Sequence, residues 1–423
     1  MNYPDALPVT QRQAFDGRRF LTVLVRPDVA FALIWAAVFA AYELRLAEYF
    51  PDANWKVTAM IAGSLALGVG SAILWPRLLP QGAPLALPDP VLLKRAVFVA
   101  LAVWIVGFVA IVVYSGGMPI YWYPAGIPKT YVDYGMPTFS GAWNTFRVVI
   151  AIVATLYLVT RPKLDIAVSL VLVFLTATVI CEINRGGFIL YAFNVLAAGV
   201  LVAPNLRRQV AWVVVVSIVS LASIYGMGAV RATDAKAAHA ISGAFTRLDG
   251  SAVTGTGAVV AQSQAASWVY LYLTTPIANL HYAATLDLQP SPSPAFHTLY
   301  PMLPSVIRPV MPEESRYPLP LLVGGYTMTT AYGPFVADFG FLGASIAMGL
   351  QLAIGTLVFT LARRHLWALI LAPMFFATVA LSFFTNYFFT LLMPFHAALA
   401  VGAWLVLVRP WKGAWPQTPK VET

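Results

Sequence analysis

Apolar residues in this chain come in long unbroken blocks, not in alternation with polar ones. Ten such blocks stand out, at 28–47, 57–76, 95–115, 144–160, 165–183, 187–204, 208–229, 332–360, 366–384 and 388–408. Each approaches the roughly 20 residues needed to cross a hydrocarbon core about 30 Å thick. In lipid, backbone polar groups must be satisfied within the segment, which makes these blocks helices. The short alternating segments of a membrane β-barrel are absent. The expected fold class is all-α, a polytopic membrane protein of about ten transmembrane helices.

The polar residues between the blocks predict orientation. Arg12, Arg18, Arg19, Arg26, Arg77, Lys94, Arg95, Arg161, Lys163, Arg207, Arg208, Arg363, Arg364, Arg409, Lys412 and Lys420 fall on one side, 16 of the 26 Lys and Arg residues. The positive-inside rule makes that side cytoplasmic, with both termini on it. The chain then divides into a cytoplasmic N-terminal segment (1–27), seven helices (28–229), one large external loop (230–331), three helices (332–408) and a cytoplasmic tail (409–423). Within the loop, 264–286 is apolar and interrupted by Pro276. If it spanned, Arg363, Arg364 and Arg409 would face outward, so it is expected to be an interfacial or re-entrant helix.

Composition sharpens this reading. Sixty per cent of residues are hydrophobic and 10% charged, against roughly 25% charged in soluble domains. The net charge of +9 reflects the basic cytoplasmic loops and gives no reason to expect nucleic acid as a partner. Cys181 is the single cysteine, which excludes an intrachain disulfide and a cysteine zinc cluster. The polar first 26 residues lack the pattern of a cleavable signal peptide.

Candidate chemistry gathers on the external side. No P-loop, dinucleotide fingerprint, nucleophile elbow or HExxH motif occurs, and no metal or cofactor is expected. Five external arginines break the positive-inside trend: Arg185, Arg231, Arg247, Arg308 and Arg316, with Lys236 beside them. An arginine fork suits a diphosphate, because it makes bidentate, charge-assisted bonds. Arg185 lies in the tight turn Asn184-Arg185-Gly186-Gly187, where glycine admits close approach to the backbone. Glu182, three residues earlier, is placed to pair with it. The plain alternative for Arg185 is an interfacial anchor. Asp338 follows Gly333-Pro334 in the first turns of an apolar helix. It either complements a helix N-terminus or, as a carboxylate at the hydrocarbon edge, carries a role. His239, His281 and His297 are acid–base or substrate-binding candidates by residue type alone. The 116–143 segment, with Tyr121, Trp122, Tyr123, Tyr131 and Tyr134, fits an aromatic headgroup belt.

Four segments in order resemble a known family, the bacterial Wzy-type oligosaccharide repeat-unit polymerases and the related O-antigen ligases. They are Asn184-Arg185-Gly186-Gly187, Gly226-Met-Gly-Ala-Val-Arg231, Tyr272-Leu-Thr-Thr-Pro276 and Tyr332-Gly-Pro-Phe-Val-Ala-Asp338-Phe339-Gly340-Phe-Leu-Gly343. The resemblance covers roughly residues 145–360. It implies a metal-independent membrane glycosyltransferase of C-type architecture at the periplasmic face of the bacterial inner membrane. Its substrates would be undecaprenyl-diphosphate-linked oligosaccharides, joined into a surface or secreted polysaccharide, with a chain-length regulator as a possible protein partner. In that reading Arg185, Glu182 and Asp338 are catalytic, and Arg231, Arg247, Arg308, Arg316 and His281 bind substrate. An O-antigen ligase and a polysaccharide-lipid flippase or transporter are the alternatives. Transporters show broken helices near the midplane, whereas the blocks here read as uninterrupted and nearly free of charge.

Overall fold

The computed structural model describes residues 20–47, 50–79, 85–231, 264–286, 296–310, 319–322 and 328–408 of the chain. Among these there is no strand. Nine described helices come before residue 232: α1 (Phe20–Leu24), α2 (Pro27–Glu43), α3 (Trp55–Leu78), α4 (Pro90–Ser115), α5 (Pro119–Trp122), α6 (Phe139–Thr160), α7 (Ile166–Cys181), α8 (Arg185–Val202) and α9 (Leu206–Arg231). After it come α10 (Gln264–Thr285), α11 (Phe296–Leu299), α12 (Gly333–Leu361), α13 (Leu366–Ala380) and α14 (Leu392–Val408).

Every one of the ten apolar blocks is a helix. Six helices are long and apolar enough to cross a membrane: α3, α4 (with its extension to Trp122), α6, α8, α9 and α12. The apolar α7, α13 and α14 are shorter, and α2 has 17 residues. The chain is therefore an all-helical, membrane-embedded protein over its described residues.

Local sequence signals set the helix ends. Asn54, Asp89, Asp165 and Asn184 cap α3, α4, α7 and α8 through their side chains, each satisfying an orphan backbone N–H. Gly116 ends α4 in the left-handed conformation, as glycine commonly does.

Small residues decide which helices meet. Helix α12 packs along α3. A methyl group at Gly63 would stand 2.6 Å from Ser345 Oγ, and one at Gly349 would collide with Leu67. Ser64 Oγ donates to the Ser345 carbonyl at 3.0 Å, and Ser345 Oγ donates to the Met60 carbonyl at 2.8 Å. Close backbone approach through small residues, with hydroxyls bonding across, is how helices associate in membranes. Helix α6 is central and buried on most faces, touching α4, α7, α8 and α14.

Loop contacts sort the helix ends into two groups. At one end, Lys94 reaches Asp165 (2.7 Å), Arg208 reaches the Arg161 carbonyl (2.9 Å) and the Leu85 N–H meets the Arg363 carbonyl (2.8 Å). At the other, Thr138 meets Ser305 (3.1 Å) and Gly135 N–H meets Ser115 Oγ (2.9 Å).

One expectation is narrowed and two need correction. The 264–286 segment is one 22-residue helix, α10, with Pro276 inside. It packs on α2 and α3, and Leu271, Ile277, Ala278, Leu280 and Ala283 are fully buried. Protein covers that face, which argues against an interfacial helix and is compatible with a re-entrant one. Between α13 and α14, residues 381–391 are not helical, a longer break than the three residues expected. Asn386 makes this possible: its carbonyl accepts the N–H groups of Phe388 (3.0 Å) and Phe389 (3.3 Å), and its amide donates to the Ala331 carbonyl (3.3 Å). Irregular backbone in a membrane protein persists only where protein satisfies it. Helix α12 is also broken near its start. Gly340 has φ 66° and ψ −177°, a region essentially reserved for glycine.

Candidate functional site

The α7–α8 turn is short and strained. Helix α7 ends at Cys181, Ile183 takes φ 52°, and α8 begins at Arg185. A β-branched residue in the left-handed region costs roughly 1–2 kcal/mol. Ile183 is nevertheless buried there, which offsets the cost. Asn184 then accepts the Gly187 N–H at 3.0 Å and closes the first turn of α8. Arg185 is thus the first residue of a membrane helix, half-buried, where the helix dipole presents positive potential. The glycines behind it serve packing as well as access. A methyl group at Gly186 would stand 3.1 Å from Tyr387 Oη, and one at Gly187 would stand 3.3 Å from Asn184. Tyr387, from the 381–391 segment, therefore lies against this turn.

Glu182 does not pair with Arg185. Its two oxygens accept from Arg147 Nη1 at 2.7 Å and Nη2 at 3.1 Å. The positive φ at Ile183 breaks the helix between positions 182 and 185, so the rule that residues three apart share a face does not apply. Arg147, on α6, is the charge that sequence reasoning passed over. It was the one charged residue in the block 144–160, and an intramembrane charge is a functional signal by default. Its guanidinium also reaches Thr178 Oγ1 at 3.4 Å and lies 5.9 Å from the Trp104 ring. Trp104 is held in turn by a reciprocal bond with Trp143: each indole N–H donates to the other's carbonyl, at 3.2 and 2.8 Å. Gly107 makes room for the Trp143 ring.

Tyr134, from the aromatic segment before α6, adjoins this pair. Burial, reinforced by the nearby Glu182 carboxylate, pushes its phenol above the usual value. Tyr134 Oη and Arg147 Nε are buried without a hydrogen-bond partner among the described residues.

The other candidates lie apart from this cluster. Asp338 is buried and accepts the backbone N–H of His297 (3.1 Å) and of Thr298 (2.7 Å). It therefore caps α11 from α12, clasping the loop to the helix just before the Gly340 break, and it makes no bond to Arg185. Of the two expectations for Asp338, a role as complement to a helix N-terminus fits these bonds, and the N-terminus it serves belongs to α11. Arg308 folds back on its own loop, donating to the carbonyls of Leu303 (3.0 Å) and Pro301 (2.6 Å), with Tyr300 5.7 Å away. His281 is fully buried in α10. Its Nδ1 accepts the Asn54 N–H at 2.9 Å and its ring stacks on Tyr42 at 4.9 Å. It joins α10 to the start of α3 and is enclosed by protein, which corrects its reading as a substrate-binding group. Arg231 is the last residue of α9. Arg247, Arg316, Lys236 and His239 lie outside the described residues. Among the described residues, no group of three or more His, Cys, Asp or Glu side chains is placed to hold a metal ion.

No family model, characterised protein or solved structure matches the chain.

Proposed function

We propose that this chain is a membrane glycan polymerase that joins lipid-diphosphate-linked oligosaccharide units at the periplasmic face of the inner membrane. The observation that carries the reading is Arg185 as the first residue of α8, in a turn braced by the buried Arg147–Glu182 pair. A cationic fork at a helix N-terminus suits a diphosphate leaving group. In the reaction, a hydroxyl of the acceptor sugar attacks the donor's anomeric carbon. The bond from that carbon to the diphosphate oxygen breaks, the electron pair leaves with the lipid diphosphate, and the hydroxyl proton passes to solvent. Charge develops on the leaving group, where preorganised donors lower the barrier most.

The carboxylates take positioning roles. Glu182 is committed to Arg147, and Asp338 to the α11 backbone. Arg231 is the second diphosphate ligand in this reading, the aromatic 116–143 segment supplies sugar contacts, and a chain-length regulator is a fitting partner. The test mixes membranes containing the protein with purified lipid-linked repeat units. A ladder of multiples is expected. A single transfer to a lipid A core acceptor would make the protein a ligase. Unchanged repeat units appearing on the far side of a vesicle would make it a transporter.

A further inference from the structure

At the end opposite the Arg185 turn, two hollows share a wall. One, of about 540 Å³, sits at the α6–α7 turn and is lined by Arg161, Lys163 and Asp165 among others. The second, of about 670 Å³, runs between α7, α8 and α9 and is lined almost wholly by apolar side chains, with Arg161 and Arg208 at one end. Arg161, Pro162 and Leu164 belong to both. The two form one amphipathic cleft, basic at the mouth and greasy along its length. Helix α9, which forms one wall, is the least buried of the six long apolar helices.

We propose that this cleft binds an anionic phospholipid, with its phosphate at Arg161, Lys163 and Arg208 and an acyl chain between α7 and α9. The mouth is preset for an anion. Arg208 is anchored by bonds to the carbonyls of Val159 (3.2 Å) and Arg161 (2.9 Å), and the Arg161 guanidinium rests 5.4 Å from the Tyr157 ring. The one acid there, Asp165, is neutralised by Lys94 at 2.7 Å and also accepts from Tyr157 Oη at 2.8 Å and from the N–H groups of Ala167 and Val168. Three cations are left facing the cleft. Toward Ile180 and Phe188 the lining carries no basic side chain, only the hydroxyls of Thr176, Tyr191 and Ser220 among apolar groups, so the headgroup belongs at the arginine end. Basic pockets between membrane helices are the sites that take anionic headgroups, and the apolar volume falls within the roughly 300–1,000 Å³ of ordinary ligand sites.

The basic mouth stands at the other end of α7 from the Arg185 turn, although the apolar length of the cleft reaches Ile180 and Phe188 beside that turn. Lipid retention is read without polymer formation, so this inference and the polymerase reading fail separately. The test reconstitutes the full chain in mixed phosphatidylglycerol and phosphatidylcholine nanodiscs and weighs the lipids that stay bound by intact-protein mass spectrometry. Phosphatidylglycerol should be retained in preference. The double variant R161Q/K163Q should weaken that retention roughly 30-fold, about five-fold for each cation lost. Ala177 lines the cleft and is exposed, so Ala177→Trp should displace the lipid while leaving the charges intact and the protein folded. Equal retention of the two lipids, no loss in either variant, a polyprenyl diphosphate recovered from the cleft, or a second copy of the chain crosslinked across it would each overturn the proposal.

Discussion

Two ion pairs of the same length, 2.7 Å, mark the two ends of this bundle. Arg147–Glu182 is 4% and 7% exposed, whereas Lys94–Asp165 is 38% and 18% exposed. The first joins α6 to the α7–α8 turn beneath Arg185. The second ties the start of α4 to the N-cap of α7. A distance alone would rank them equal, but solvent separates them. An exposed pair gains little, because water and salt screen it. In a buried pair each partner is expensive to leave alone. Apolar packing often stabilises a fold at least as well as such a pair, so a role in holding the turn is the better physical reason for it.

The sharpest way to break this comparison is to remove one buried partner. Arg147→Ala leaves the Glu182 carboxylate uncompensated and should destabilise the protein by about 3–5 kcal/mol, visible as protein lost from the membrane. The double variant R147M/E182L should recover protein level, since apolar replacement of a buried pair is often neutral or stabilising. It should still lack polymer, because the turn loses its brace. Full polymer from the double variant would reduce the pair to packing.

Next in size is Arg185→Ala at normal protein level. Loss of one electrostatic donor at a transition state costs on the order of 10²–10³ in rate, and Arg185→Lys should recover only part of it because lysine lacks the fork. Near-normal chain length in Arg185→Ala would remove Arg185 from the site and leave Arg231 as the leading ligand.

A smaller effect is expected at the loop clasp. Asp338→Asn exchanges an ionised acceptor of two N–H groups for a neutral one. Hydrogen bonds to charged groups contribute about 1.5–3 kcal/mol. The loop around α11 should loosen, read as faster hydrogen exchange at His297 and Thr298 with little change across α6–α8. Exchange that rises equally throughout would mean a global loss of stability and no local clasp.

The smallest effect belongs to the exposed pair. Lys94 and Tyr157 hold the Asp165 carboxyl down to about 2. A depressed carboxylate contributes stability above its ordinary value near 4, and that contribution fades as pH falls through about 2. Lys94→Met should shrink this acid-limb dependence, leaving the part due to Tyr157 and the Val168 N–H, and remove a slight salt sensitivity, with activity at neutral pH unchanged. A large neutral-pH loss would place the two pairs in the same class.

The element inventory was legible because hydrophobic blocks report burial in lipid or protein directly. Boundaries failed where side chains replaced helical hydrogen bonds, as Asn386 does for Phe388 and Phe389. The candidate site was legible in its turn, Asn184 to Gly187, and not in its support. Arg147 carried a signal, a lone charge in an apolar block, but its partner lies 35 residues away. Counting three residues from Glu182 to Arg185 assumed a helix that Ile183 interrupts. His281 was a candidate by residue type alone, and its burial against Tyr42 and Asn54 follows from how α10 packs.

The sequence by itself determined that the chain is helical and apolar, where most helices begin, and which ends carry the basic residues, because these depend on residue type and local spacing. Only the tertiary structure decided that Glu182 belongs to Arg147, that Asp338 caps another segment's helix, and that the basic α6–α7 turn opens onto an apolar cleft. Each of those is a meeting of side chains from different helices. The small-residue faces and broken backbone that bring such side chains together act through packing, which spacing along the chain does not encode.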